Sequence, residues 1–173
     1  LLASADKFSV KLDGERLGYT LDKGVLQGLV DNGGMIIADG GAVVLTSLGL
    51  DTIKKSVIKH HGIITANTVV NQGGRIELLG DLDNSRLELS GTITAEAKDG
   101  NGGFIETSAA QLAIKDTAHV STHSTDGKTG TWVIDPQDFT VAPTGGDMTG
   151  QQVSTALNSN NVTLKSIDGK TQG

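Results

Sequence analysis

Cysteine is absent from the 173-residue sequence, and proline (two residues) and aromatic residues (3%) are scarce. Without cysteine the chain can form neither disulfide bonds nor thiolate metal sites, which is compatible with export but does not demand it. Because aromatic side chains are so few, a hydrophobic core must be built from aliphatic residues. The sequence also lacks an apolar run of about eighteen residues and a recognisable signal peptide, so nothing in it predicts a membrane span or a targeting segment.

Positive charge is also scarce, since 14 lysines and arginines face 20 carboxylates and the formal net charge is −6. The lysines are scattered and form no basic stripe, which argues against a nucleic-acid partner. The length fits one domain and suffices for a continuous core if the chain is a solenoid. The 24 glycines show no collagen period.

What the sequence does contain is a repeat of about 28 residues. The best copy spans residues 91–107. It begins with a glycine and a short run in which apolar and polar residues alternate, and after a polar gap a glycine pair begins a second run of this kind. Earlier copies begin at Gly34 and Gly62, and a degenerate copy begins at Ala118. Four copies at this spacing are typical of a solenoid, in which equivalent strands of successive repeats stack on one another.

The runs alternate with period two, which predicts strands rather than helices. A third strand per repeat is predicted at residues 87–89 and 112–114. Three short strands per coil predict an all-β fold, a right-handed parallel β-helix, with the hand taken from the rule for parallel crossovers. Glycines at the start of the runs are expected at corners, where the chain turns sharply and often needs φ > 0.

The repeat also predicts which side chains stack. Inward-facing residues of successive coils are expected to form two buried columns, the first made of Ile36, Ile64, Ile93 and Val120, and the second of Val43, Ile76, Ile105 and Trp132. Trp132 replaces an aliphatic residue, so the coil is expected to widen there and to change character. Because proline has no N–H group to donate to the hydrogen bonds of a β-ladder, the strand through Trp132 is expected to end at Ile134 or Asp135.

Three segments depart from the strand pattern and are predicted as short helices: residues 22–30 after Asp22, residues 50–57 behind Asp51, and residues 151–158 capped by Thr149. The predicted organisation of residues 1–173 is one β-helix segment, with regular coils over about 30–141, a loop and short helix at 142–160, and a returning strand at 161–167. The chain begins with Leu1 and a strand-like run at 8–12, so it is expected to be a piece of a longer solenoid.

Two pairs of side chains are candidates for binding a metal ion or sharing a proton. Glu77 and Glu106 occupy equivalent positions in successive coils, about 4.8 Å apart, and such a pair can bind Ca²⁺ or share a proton. The favoured interpretation is that both lie on the outer face and extend into water. His60 and His61 are potential metal ligands, but adjacent residues of an extended chain point in opposite directions and no third ligand has a defined spacing.

Asp135 and Asp138 flank Pro136 and resemble the catalytic pair of a β-helical polysaccharide lyase, although a turn beside a proline explains them more simply. No lysine or arginine accompanies them at a repeated strand position. Asn161 begins a three-residue glycosylation sequon, which is a weak signal. The sequence therefore predicts no catalytic, metal-binding or cofactor-binding residue.

Residues 102–141, GGFIETSAAQLAIKDTAHVSTHSTDGKTGTWVIDPQDFTV, resemble a segment of the filamentous-haemagglutinin-like exoproteins of two-partner secretion. In that family a first element consists of a glycine pair, an aromatic residue, an apolar residue and Glu-Thr-Ser. It precedes a second element, in which Gly-Thr-Trp is followed by two apolar residues and Asp-Pro. Both are present, at residues 102–108 and 130–136, and residues 22–66 and 157–164 resemble the flanking stretches. The family's amino-terminal secretion domain is not among the matching residues, so the resemblance implies secretion without showing its signal.

The resemblance implies the stalk of a secreted, cell-surface bacterial adhesin that attaches to a receptor or glycan on host or neighbouring cells. An outer-membrane two-partner transporter would act through regions outside this chain. The shaft of a contact-dependent growth-inhibition toxin or of a haem-acquisition exoprotein is an alternative within the family. A polysaccharide-degrading enzyme on the same fold is an alternative of another class, because fold alone does not fix function. The expected protein is not an enzyme, carries no cofactor and does not span a membrane.

Overall fold

The computed structural model describes residues 1–5, 7–13, 16–23, 28–48, 56–69 and 72–165. Within them the secondary structure is β1 (Leu2–Ser4), β2 (Lys7–Asp13), β3 (Arg16–Lys23), β4 (Leu29–Asn32), β5 (Met35–Ile37), β6 (Ala42–Ser47), β7 (Ser56–His60), β8 (Ile63–Thr65), β9 (Arg75–Gly80), β10 (Ser85–Leu89), β11 (Thr92–Thr94), β12 (Phe104–Ala109), β13 (Gln111–Ile114), β14 (His119–Ser121), β15 (Thr131–Pro136), α1 (Gly150–Leu157) and β16 (Asn161–Leu164).

The strands from β4 to β15 form four coils of a parallel β-helix, with three strands in each coil. Every coil gives one strand to each of three sheets. Sheet 1 has the order β1-β6-β9-β12-β15-β16, sheet 2 the order β4-β7-β10-β13, and sheet 3 the order β5-β8-β11-β14. The predicted parallel β-helix with three strands per coil is therefore confirmed, including the third strands β10 and β13.

Both predicted columns are present. Ile36, Ile64, Ile93 and Val120 are in register across sheet 3, and Val43, Ile76, Ile105 and Trp132 across sheet 1. Only Ile36 is not fully buried, because β5 is the edge strand of its sheet. Trp132 is 2% exposed, and its indole N–H donates to the Thr107 hydroxyl at 3.1 Å. The indole thus enters the core without interrupting the register of β15 on β12.

The repeat glycines Gly62, Gly91 and Gly103 are required by close contact with the preceding coil. A Cβ added to Gly91 would lie 2.3 Å from the carbonyl oxygen of Gly62, and one added to Gly103 would lie 2.3 Å from that of Gly74. The expectation of positive φ at these corners is wrong. Glycine is needed there because a side chain would collide with the preceding coil, and the backbone is not left-handed. Among the described glycines, positive φ occurs at Gly40, Gly100 and Gly145.

The helix predicted over residues 22–30 is wrong where the structure describes it. Asp22 and Lys23 belong to β3, Leu29 and Val30 belong to β4, and residues 24–27 lie outside the described ranges. Val30 is buried against Ile58 of β7, whereas Leu29 faces outward. Burial thus alternates as in a strand, and tertiary packing overrides the helical spacing of the leucines. Of the helix predicted at residues 50–57, residues 50–55 lie outside the described ranges, and the last two residues are in β7.

The strand predicted at residues 8–12 is present in β2, but it does not belong to the coils. β2 pairs antiparallel with β3 in a two-stranded sheet of its own. This hairpin lies in the sequence between β1, which joins sheet 1, and β4, which begins the first coil.

The predicted carboxy-terminal helix is confirmed as α1. Thr149 caps it through a capping box, in which Gln152 N–H donates to the Thr149 hydroxyl and Thr149 N–H donates to Gln152 Oε1 at 2.6 Å. β15 continues through Pro136, one residue beyond the predicted end. Proline is tolerated there because β16 stops opposite Ile134, so no further strand requires a donor on that side.

Candidate interaction surfaces and buried polar groups

Glu77 and Glu106 face each other on the outer surface of sheet 1, as predicted. They do not extend freely into water, because Arg75 forms an ion pair with Glu77 and lies 3.9 Å from Glu106 Oε2. The guanidinium also stacks on the ring of Phe104, 4.1 Å from its centroid, and the Ser108 hydroxyl donates to Glu106. The cation between the carboxylates supplies the charge that Ca²⁺ or a shared proton would otherwise supply. A signal for this was present in the sequence, since residues i and i+2 of a strand share a face.

The outer surface of sheet 2 is also charged and internally paired. Arg86 donates to Glu88 at 2.9 Å along β10, and this hydrogen bond holds the pKa of Glu88 below its ordinary value. Lys59 of β7 lies in register between Asp31 and Glu88 of the neighbouring coils. Opposite charges thus alternate across these coils, which favours their stacking in the observed order.

His60 and His61 point in opposite directions, as predicted. His60 is fully buried between coils, where its Nδ1 accepts from the Asn32 side-chain amide at 3.0 Å and its Nε2 contacts the Thr92 carbonyl oxygen at 3.1 Å. Since the amide nitrogen can only donate and the carbonyl can only accept, His60 is the neutral tautomer with its proton on Nε2. His61 is exposed and pairs with Asp31 at 3.0 Å.

Burial lowers the pKa of His60, and the hydrogen bond between its Nε2 and the Thr92 carbonyl oxygen opposes this effect. The imidazole therefore serves as a polar bridge between three coils. Within the described ranges, no group of three or more His, Cys, Asp or Glu side chains could hold a metal ion.

The remaining candidate residues lie near the carboxy-terminal coil. Asp135 is half-buried in β15 and Asp138 is exposed after it, and neither side chain makes a hydrogen bond or an ion pair with a described residue. Asn161, the first residue of the sequon, opens β16, and its amide nitrogen donates to the carbonyls of Thr129 at 2.6 Å and Gly130 at 3.0 Å. Attachment of a glycan to this nitrogen in the folded chain would disrupt that corner.

Sheet 3 has an outer surface of a different kind, which sequence analysis missed. The outward side chains of β5, β8 and β11 are all uncharged: Met35, Ile37, Ile63, Thr65, Thr92 and Thr94. Met35 and Ile37 are 64% and 65% exposed, and Ile63 is 40% exposed. The face passes from aliphatic residues in the first coil to threonines in the third. We call these six residues the sheet 3 face.

Comparison of the chain with protein-family models, with curated proteins and with solved structures gives no match. Among the described residues, no helix has the length and apolar character needed to cross a membrane.

Proposed function

We propose that this chain is a structural and binding segment in the stalk of a secreted bacterial adhesin, exported by two-partner secretion and displayed at the cell surface. The resemblance of residues 102–108 and 130–136 to the filamentous-haemagglutinin-like exoproteins supports this proposal. The fold supports it as well, because in-register coils around a continuous aliphatic core make a unit that extends by adding further coils. The transporter that exports it acts through regions outside this chain.

The sheet 3 face is the observation that carries the binding part of the proposal. Sheets 1 and 2 present charges that are paired within the chain, at Arg75 and Glu77 and at Arg86 and Glu88. The sheet 3 face instead presents aliphatic side chains and hydroxyl groups without charge. A flat, uncharged surface of this composition offers a receptor or glycan apolar contact together with hydrogen bonds from threonine.

Attachment of beads to cells tests the proposal. Fluorescent beads coated with the purified chain are added to cultured epithelial cells and to bacterial cells, with albumin-coated beads as the baseline. We expect Ile37→Lys to reduce attachment about tenfold, because it places a charge among the aliphatic residues of the sheet 3 face. Leu29→Lys is the matched control, since Leu29 is 57% exposed in the same coil but on sheet 2.

The proposal fails if unmodified beads attach no better than albumin-coated beads, or if the two variants lose attachment equally. The shaft of a toxin or of a haem-acquisition exoprotein would use the same coils and differ in the regions joined to them. A carboxy-terminal nuclease-like domain in the parent gene would favour the toxin, and an adjacent transporter gene would support the exoprotein family in general.

A further inference from the structure

A cleft of about 490 Å³ lies between α1 and the last coil. Its floor is the end of the hydrophobic core, made of the buried residues Ile114, Val120, Trp132, Met148 and Ala156. Within the described residues no strand follows β13 in sheet 2 or β14 in sheet 3, and α1 lies beside the last coil instead. The one buried residue of α1 is the small Ala156, which leaves space that the inward side chain of a strand would fill.

Two amide side chains, one from Gln152 in α1 and one from Asn160 after it, connect α1 to the last coil. Gln152 donates to the carbonyl oxygen of Ile114 at 3.3 Å and to Asp116 at 2.9 Å. Asn160 donates to the carbonyl oxygen of Val120 at 2.8 Å. These contacts occupy carbonyls at the open edges of β13 and β14, so an extended peptide cannot add to those edges through them. The occupant that fits is a compact molecule.

The lining indicates the chemistry of this molecule. A volume of about 490 Å³ lies in the range of small-molecule sites, which combine an apolar surface with a few polar groups. Side chains of opposite formal charge, Lys115 and Asp116, lie together at the rim, so the cleft favours neither anions nor cations. The hydroxyl of the exposed Thr155 accepts a hydrogen bond from the Gln151 side chain at 3.5 Å, and its own proton is available for one hydrogen bond to a bound molecule.

We propose that the cleft beside α1 binds a compact, uncharged, mainly apolar molecule with an aromatic or alicyclic body and a carbonyl or hydroxyl group. This site is separate from the sheet 3 face, and it does not depend on the adhesin proposal. The floor residues cover the apolar body, and the rim leaves the polar group in contact with side chains and water.

The neutral fluorescent ketone prodan (6-propionyl-2-dimethylaminonaphthalene) is a suitable probe. Trp132 is the only tryptophan of the chain and forms part of the cleft floor, so its emission reports energy transfer to a probe bound there. We expect saturable binding of one probe per chain, a blue shift of the probe and loss of more than half of the Trp132 emission. Thr155→Phe, which fills the cleft, is expected to weaken binding at least tenfold. Ser154→Phe, at the exposed neighbouring residue outside the cleft, is the matched control and is expected to leave the affinity unchanged.

Ile37→Ser tests the competing apolar surface, and it is expected to leave prodan binding unchanged. Binding that Ile37→Ser abolishes and Thr155→Phe preserves would overturn the proposal, as would non-saturable binding or no binding up to the solubility limit of the probe. A blue shift of the probe without quenching of Trp132 would also overturn it. This last measurement uses the unmodified chain and does not depend on the folding of any variant.

Discussion

Replacement of Gly91 by alanine tests the packing of one coil on the next. The added Cβ would lie 2.3 Å from the carbonyl oxygen of Gly62 and 2.8 Å from the carbonyl carbon of His61. These are backbone atoms of the preceding coil, so no side chain can move aside. Gly34→Ala is the matched control, because Gly34 stands at the equivalent corner of the first coil and its added Cβ meets no atom within 4 Å.

The expected cost follows from the movement that the extra carbon requires. A contact between a methyl carbon and an oxygen needs roughly 1 Å more than the available distance, so the two coils must separate at this corner. The hydrogen bond from Thr92 N–H to Gly62 O, now 2.9 Å, is then lost. A lost hydrogen bond costs about 1 kcal/mol, and forced displacement of a packed core costs about 1–3 kcal/mol. Gly91→Ala is therefore expected to destabilise the chain by about 2–4 kcal/mol.

Gly34→Ala is expected to change stability by less than about 1 kcal/mol, with a stabilising sign if the reduced freedom of the unfolded chain dominates. Both values come from urea unfolding followed by Trp132 fluorescence and by circular dichroism, in which coincident transitions establish two-state behaviour. If the two alanine variants unfolded at the same urea concentration, the requirement for glycine at the stacked corners would be refuted.

Ile93→Asp is expected to abolish cooperative thermal unfolding in circular dichroism, because it puts an unpaired carboxylate into a fully buried column; a native-like melt would contradict this. Trp132 should emit at short wavelength and resist iodide until one cooperative unfolding step, whereas free quenching in the native state would place it at the surface. The purified chain is expected to hydrolyse or lyse no common polysaccharide with or without calcium, and turnover that Glu106→Gln removes would disprove this. Because burial lowers the pKa of His60, the unfolded chain binds a proton below about pH 6.5 that the folded chain does not. Stability should thus be constant above that pH and fall below it, and urea titrations at pH 5 and 7 should show a smaller fall for His60→Gln.

The coils could be predicted from the sequence because their determinants are local and repeated. The alternation of apolar and polar residues around Ile93 identifies the inward face of the strand, and the corner glycines indicate where successive coils meet. The hairpin of β2 and β3 could not be predicted in this way, since a strand that pairs antiparallel has the same alternation as one that stacks in parallel. Which partner a strand takes depends on contacts with residues distant in the sequence.

The same limit applies to polar side chains. The opposite orientation of His60 and His61 follows from strand geometry alone and was predicted. That His60 bridges Asn32 and Thr92 is a property of three coils together, and a single repeat does not contain it. The cleft beside α1 is a further example, because the cap at Thr149 predicts where the helix begins but not how much of the core it leaves uncovered.

The sheet 3 face was missed for a more instructive reason. Met35-Ile36-Ile37 and Ile63-Ile64 are continuous apolar runs, and only their inward members, Ile36 and Ile64, are needed to build the core. A half-buried strand should carry polar residues at the other positions, as Thr92 and Thr94 do around Ile93. An aliphatic residue at an outward position does not stabilise the coil by burial, because the inward residues of the same strand already form the core. The aliphatic residues at three outward positions of the first two coils, Met35, Ile37 and Ile63, therefore support the proposal that another molecule binds this surface.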